Sequence, residues 1–200
     1  MKQKKLIKDL AAVTLATAMT GVATCCYVRA GLGGDSVAVF LDGLSVTGGF
    51  TLGEASWLFN LVLLVTGFFL ARKNLGWTTI YNSLLNGFFV SLADRVLEPI
   101  LNFGGGYLYR WALMLAGLLT LTMACALMMR QCPGMSILDA ITAGVAERVR
   151  LSFRVVRIAI DVALMTTGWL MCGVVGLGTV VAVAGTGPLI QFFYQFGKKE

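Results

Sequence analysis

The chain alternates long uncharged runs with short amphipathic ones. Leu10 to Val28 carries no charge and follows Lys2, Lys4, Lys5 and Lys8. A first membrane helix and a cleaved signal peptide both fit this start. The helix is favoured, because Thr24 is a poor residue before a lipoprotein Cys25 and nothing after Cys26 resembles a secreted domain. Asp35 to Thr47 differs in kind. Val37, Phe40, Leu41 and Leu44 share one helical face, with Asp35 and Asp42 off it. This stretch is too short to span and predicts an interfacial or re-entrant helix. Ala55 to Ala71 is uncharged again; Thr51 and Glu54 read as its capping box, and Arg72 and Lys73 close it. Asn74 to Ala93 is a third long run, ended by Asp94, Arg95, Glu98 and Pro99.

Phe103-Gly-Gly-Gly-Tyr107 divides the chain. Trp111 to Met129 then forms a fourth run, ended by Arg130 and turned by Pro133-Gly134. Ile137, Leu138, Ile141, Val145 and Val149 make a second amphipathic stripe, with Ser136 and Asp139 as another capping box. No charge occurs from Val162 to Gly197, which is too long for one helix. The glycines between Gly173 and Gly178 predict a turn between a helix over about 154–172 and another over about 177–196.

The pattern therefore predicts an all-α membrane protein with six transmembrane helices. Composition agrees: 58% of the 200 residues are hydrophobic, 13% are charged and the mean hydropathy is +0.82. A soluble domain is nearer one quarter charged. The net charge of +6 does not indicate nucleic acid, because the basic residues sit at the ends of apolar runs. With a cytoplasmic N-terminus, thirteen Lys and Arg fall inside and three (Arg29, Arg95, Arg110) outside, so both termini are expected in the cytoplasm, on the inner side of the cell membrane.

The second half, slid back by about 100 residues, matches the first in order. Gly33 meets Gly134, Gly43 meets Gly144, and Thr51 meets Ser152. Thr66-Gly67-Phe68 meets Thr167-Gly168-Trp169; after a one-residue gap Gly76, Thr79 and Gly87 meet Gly176, Thr179 and Gly187. The expected units are a membrane repeat over 6–96, an external Gly-rich linker over 97–106 and a second repeat over 107–196. Three crossings per unit is odd, so the second unit is inverted in the bilayer, as in many secondary transporters.

Leu41-Asp-Gly-Leu-Ser45, Gly53-Glu-Ala-Ser56, Asn60, Gly67-Phe68, Arg72-Lys73 and Leu75-Gly-Trp-Thr-Thr79 resemble the bacterial YczE/YitT-type integral membrane proteins. Gly176-Leu-Gly-Thr179 and Gly185-Thr-Gly-Pro188 do so too. The resemblance spans roughly 6–196. It implies a membrane location and a repeat, and names no substrate.

Polar residues within the runs are the candidate chemistry. Asp161 lies about two turns into the fifth span with Arg157 at i−4, the spacing of an ion pair on one helix face. A structural pair and a substrate or ion site both fit. Asn60, the repeat partner of Asp161, is also polar. Asn82 and Asn86 suit inter-helix bonding or a polar pathway. Thr79 and Thr179 suit helix caps or an anion-binding N-terminus. Asp42 is expected to face water or a cavity. The chain has no His, no nucleophile–base pair and no metal-ligand spacing, and its five Cys form no Cys-x-x-Cys. No enzyme activity, cofactor or metal is expected. A transporter or permease for an unidentified small molecule or ion is the first expectation. A non-transporting subunit, either substrate-capturing or a scaffold, is the second. The expected partners are the lipid bilayer and that small molecule or ion, with no nucleic acid; a homodimer fits the small size.

Overall fold

The computed structural model describes residues 2–72, 75–101, 106–131 and 136–196. The Pro133-Gly134 turn, the centre of the Gly-rich linker, and Lys73, Asn74, Lys198 and Lys199 lie outside the described residues. The fold is all helical: α1 (Lys2–Ala30), α2 (Ser36–Gly48), α3 (Leu52–Leu70), α4 (Trp77–Leu101), α5 (Tyr107–Gln131), α6 (Ile137–Val149), α7 (Phe153–Leu170) and α8 (Leu177–Phe196). Four of these, α1, α3, α5 and α8, are long and apolar enough to cross a membrane. Two of the six expected spans, α4 and α7, fall outside that set. Asn82, Asn86 and Asp94 on α4, and Arg154, Arg157 and Asp161 on α7, interrupt their apolar character. Helix α4 also runs on to Leu101, into the stretch expected to be linker.

Helix α1 is the centre of the packing. Its small residues Ala16, Ala23 and Ala30 are fully buried, and small residues let helix backbones approach. One apolar cluster joins Cys25 to Leu41, Leu52, Ala55, Phe59, Val90 and Ala93. A second joins Tyr27 and Ala30 to Ala38, Leu113, Met114, Leu118 and Ala182. Helix α4 lies parallel to α1, as matched contacts show: Thr17 donates to Asn82 (2.6 Å), Gly21 backs onto Phe89, and Arg29 pairs with Asp94 (2.8 Å). Helix α5 runs antiparallel to α1, since Gly117 meets Ala23 and Cys26 whereas Tyr27 and Ala30 sit with Leu113 and Met114.

Packing pairs exchange between the halves. Helix α1 packs on α4 as α5 packs on α8, and α2 packs on α7 as α6 packs on α3. The second exchange runs through glycines. A Cβ on Gly43 of α2 would lie 2.3 Å from the Gly168 carbonyl of α7. On the other side, a Cβ on Gly144 of α6 would lie 2.8 Å from the Leu70 carbonyl of α3, and Gly67 faces Ile137 and Ile141. The caps match as well. Thr51 caps α3 in a complete capping box with Glu54, and Ser152 caps α7 by accepting from Val155 N–H. The short helices end in left-handed residues at equivalent places, Gly49 (φ 66°) and Arg150 (φ 56°). The capping box expected at Ser136 is absent: its side chain makes no cap hydrogen bond, and Asp139 turns to Arg157 instead.

One pairing breaks the correspondence. Helix α3 packs closely on α4, with Gly87 against the Trp57 ring, but α7 does not pack comparably on α8 among the described residues. Gly187 faces open space and Ile158, equivalent to Trp57, is 56% exposed. Only 17% of the membrane-length window of α8 is buried, against 56% for α1, so α8 is peripheral.

These contacts set an order of tolerance to substitution. Gly43→Ala and Gly168→Ala force backbones apart and should each cost about 1–3 kcal/mol. Gly187→Ala meets nothing and should be neutral, or stabilising by up to about 1 kcal/mol through helix propensity. Thermal melts in detergent read the order; equal effects at Gly43 and Gly187 would refute the close crossing.

Candidate functional site

Helices α2 and α7 are parallel: Ser36 meets Asp161, Phe40 meets Gly168, and Thr47 donates to the Met171 carbonyl. Helix α6 precedes α7 through a short turn and runs antiparallel to it, so Asp139 in its first turn reaches Arg157. The two short helices therefore point away from each other, with their N-terminal ends gathered at the middle of α7.

Charge is concentrated at that junction. Arg157 Nε donates to Asp161 Oδ2 at 3.0 Å, and its Nη1 donates to Asp139 Oδ1. Ser36 Oγ donates to Asp161 Oδ1 at 2.6 Å. Asp35 caps α2 by accepting from Ala38 N–H (3.2 Å) and lies within electrostatic reach of Arg157 and Asp161. The side chains of Arg157, Asp139 and Asp161 are each about one third exposed (32%, 37% and 33%) without lipid around them. Burial pushes the Asp35 carboxyl up to about 6, against the opposing pull of Ala38 N–H and Arg157. Burial also raises Asp139, with Arg157 opposing.

The sequence pointed to Arg157 and Asp161 and missed Asp35, Ser36 and Asp139. Asp35 caps the start of α2 and Asp139 sits in the first turn of α6, and only the tertiary path of α7 brings them together. The remaining candidates lie elsewhere. Asn60 donates to the Ser56 carbonyl (2.9 Å) and borders Trp57, Ser83 and Leu84 on the α4 side, so it is not brought to Asp161. The pair Ser56–Asn60 is nevertheless the neutral counterpart of Arg157–Asp161 at the same i, i+4 register. Asn82 accepts from Thr17 and ties α4 to α1; Asn86, one turn further along α4, is half-buried. Asp42 accepts from Val174 N–H at 2.8 Å and fastens the α7–α8 turn; burial raises its carboxyl. Thr79 and Thr179 are buried in equivalent turns, their N–H groups donating to the Gly76 and Gly176 carbonyls (3.1 and 3.0 Å). Thr179 Oγ1 also accepts from Gly176 N–H and packs against Gly33.

No three His, Cys, Asp or Glu side chains among the described residues are placed to share a metal ion. The junction can hold charge, move a proton or bind a small ion beside a fixed guanidinium.

A family model described as a family of unknown function, DUF6198, matches residues 7–195. An uncharacterized protein of Haemophilus influenzae is 27% identical over 186 residues, covering 93% of this chain and 83% of that protein. No solved structure matches.

Arg157 contacts two carboxylates, whereas Asp161 contacts one cation. Arg157→Gln leaves both acids without it and should destabilise more than Asp161→Asn. The expected loss is about 1–3 kcal/mol, below the figure for a fully buried pair because the groups are partly exposed. Thermal melts of the two variants decide; a larger loss for Asp161→Asn would show that Ser36, not Arg157, is the main anchor.

Proposed function

The chain belongs to DUF6198, and we propose that it is a small multi-pass transporter or permease of the bacterial cytoplasmic membrane. In this reading six helices cross the bilayer as two inverted repeats, 6–96 and 107–196, with both termini in the cytoplasm. Helices α2 and α6 are re-entrant. The quoted Gly-rich motifs ally it with YczE/YitT-type membrane proteins. No catalytic step is assigned.

The observation that carries the proposal is the meeting of two oppositely directed short helices at Arg157 and Asp161. Discontinuous helices that begin at a charged site between inverted halves are how many secondary transporters bind their cargo. Ionisable groups within spans also mark function more often than they stabilise. The antiparallel α1–α5 contact and the exchanged α2–α7 and α6–α3 contacts support inversion. The unequal helix pairs support alternation: α3 is closed on α4 near the outer end, while α7 stands away from α8 towards the cytoplasm. A second state would close α7 on α8 and part α3 from α4.

A second reading, a non-transporting subunit or homodimer, draws on the exposed flank of α8, where Leu177, Val180 and Val183 are all more than half exposed. Lipid would cover that flank equally well.

Disulfide trapping in membranes tests alternation. In a cysteine-free background, Trp57→Cys with Gly87→Cys traps the closed outer pair; Ile158→Cys with Gly187→Cys traps the inner pair. Each pair should form a disulfide when present alone, and in the quadruple variant one disulfide should exclude the other in the same molecule. Failure of the Ile158–Gly187 pair to form would sink the transporter reading, and Gly187-to-Gly187 links between chains would favour the dimer.

A further inference from the structure

The junction carries more negative than positive charge. Asp139 and Asp161 pair with the Arg157 guanidinium, and Asp35, beside the Ser36 that donates to Asp161, lies within its electrostatic reach. The first turns of α2 and α6 each add roughly half a positive charge. About one negative charge is left over, and an unbalanced charge that is only partly reached by water is costly. Among the described residues, Arg157 is the cation that acts on Asp35. Also within reach are Tyr27 on α1, Cys125 on α5 and Asp161 on α7, with Asp139 of α6 on the Nη1 of Arg157.

A second observation points the same way. The Tyr27 hydroxyl is buried, with Tyr27 only 2% exposed, and makes no hydrogen bond among the described residues. It lies within electrostatic reach of Asp35 and Cys125, and both of these also feel Arg157. A buried hydroxyl without a partner is a group waiting for one. The adjoining cavity, bordered by Tyr27, Gly33, Gly34, Asp42 and Val174, measures about 10 Å³. That is room for no more than one water, and no three acidic or thiol groups among the described residues can share a metal ion.

We propose that the missing positive charge is an exchangeable proton held on Asp35 at the junction, so that the cargo moves with protons. The cargo clause rests on the transporter reading; the proton site does not. Protonated Asp35 removes the excess charge and keeps an oxygen for Ala38 N–H. The ionised form exposes that charge to Asp161 and invites the Tyr27 hydroxyl. Burial pushes Asp35 up to about 6, so the proton would leave and return near neutral pH. The sign follows: a carboxyl raised in the fold favours the folded state when protonated, and this stabilisation is lost as pH rises through about 6.

The test uses detergent-purified full-length protein in N-methylglucamine salts, melted from pH 5 to 7.5. The wild-type midpoint should fall across this interval by several degrees more than that of Asp35→Asn. Tyr27→Phe should move the response to higher pH, because the hydroxyl no longer favours the ionised form. An infrared difference spectrum of the wild type needs no variant and should show a protonated carboxyl band at pH 5 that is weaker at pH 7.5. An identical pH response in wild type and Asp35→Asn, or no such band, would overturn the proton site. A midpoint that rises with sodium or potassium but ignores pH would also overturn it, by making the charge a metal cation. Disulfide exclusivity between the two gate pairs is a separate readout, so failure of transport and failure of the proton site are told apart.

Discussion

A guanidinium in an apolar helix must find carboxylates close by, and Arg157 thereby determines where two other helices begin. Its reach along α7 takes Asp161, and its reach sideways takes Asp139 from the first turn of α6. Asp161 in turn accepts from Ser36 at the head of α2. Two neighbouring helices and the distant head of α2 are pinned at one level. The short helices can then only run outward from it. Neither short helix is long enough to cross a bilayer alone, so each needs this anchored end.

The other ends are held by backbone proximity rather than charge. Gly43 against Gly168, and Gly144 against the end of α3 near Gly67, let each short helix lie directly on a long helix of the opposite half. In lipid, contact of this kind substitutes for the hydrophobic effect, which cannot drive helix against helix. Each half thus lends its short helix to the other. The two halves of the chain are intertwined through these contacts.

Sequence reading succeeds where structure is local and fails where it is tertiary. The capping box at Thr51 and Glu54 is a four-residue device and forms as its pattern suggests. Ser136 and Asp139 show the same spacing but not the same bonds, because a cation on another helix outbids the backbone for Asp139. Helix α8 occupies 177–196 as its glycine boundary implies, and α4 overruns its charged end to Leu101. The glycines that suggested a repeat, Gly43, Gly67, Gly144 and Gly168, do sit at close helix crossings. The expected meeting of Asn60 with Asp161 did not allow for the rotation of α3, which turns Asn60 towards α4.

That divergence between equivalent positions matters most for mechanism. In the proposed repeat, one half keeps Ser56 and Asn60 where the other carries Arg157 and Asp161. The neutral pair sits where α3 and α4 are packed together; the charged pair sits on α7, which stands away from α8. Charge is less costly where water can reach it and more costly where a helix closes over it. A pair of halves that exchange open and closed states would therefore feel the exchange at only one of the two positions. Closing α7 on α8 would desolvate Arg157 and its acids, whereas opening α3 from α4 would expose only an amide and a hydroxyl. The energetic difference between the two states then depends on how the acidic junction is neutralised. A proton at Asp35 is the smallest change that lowers it.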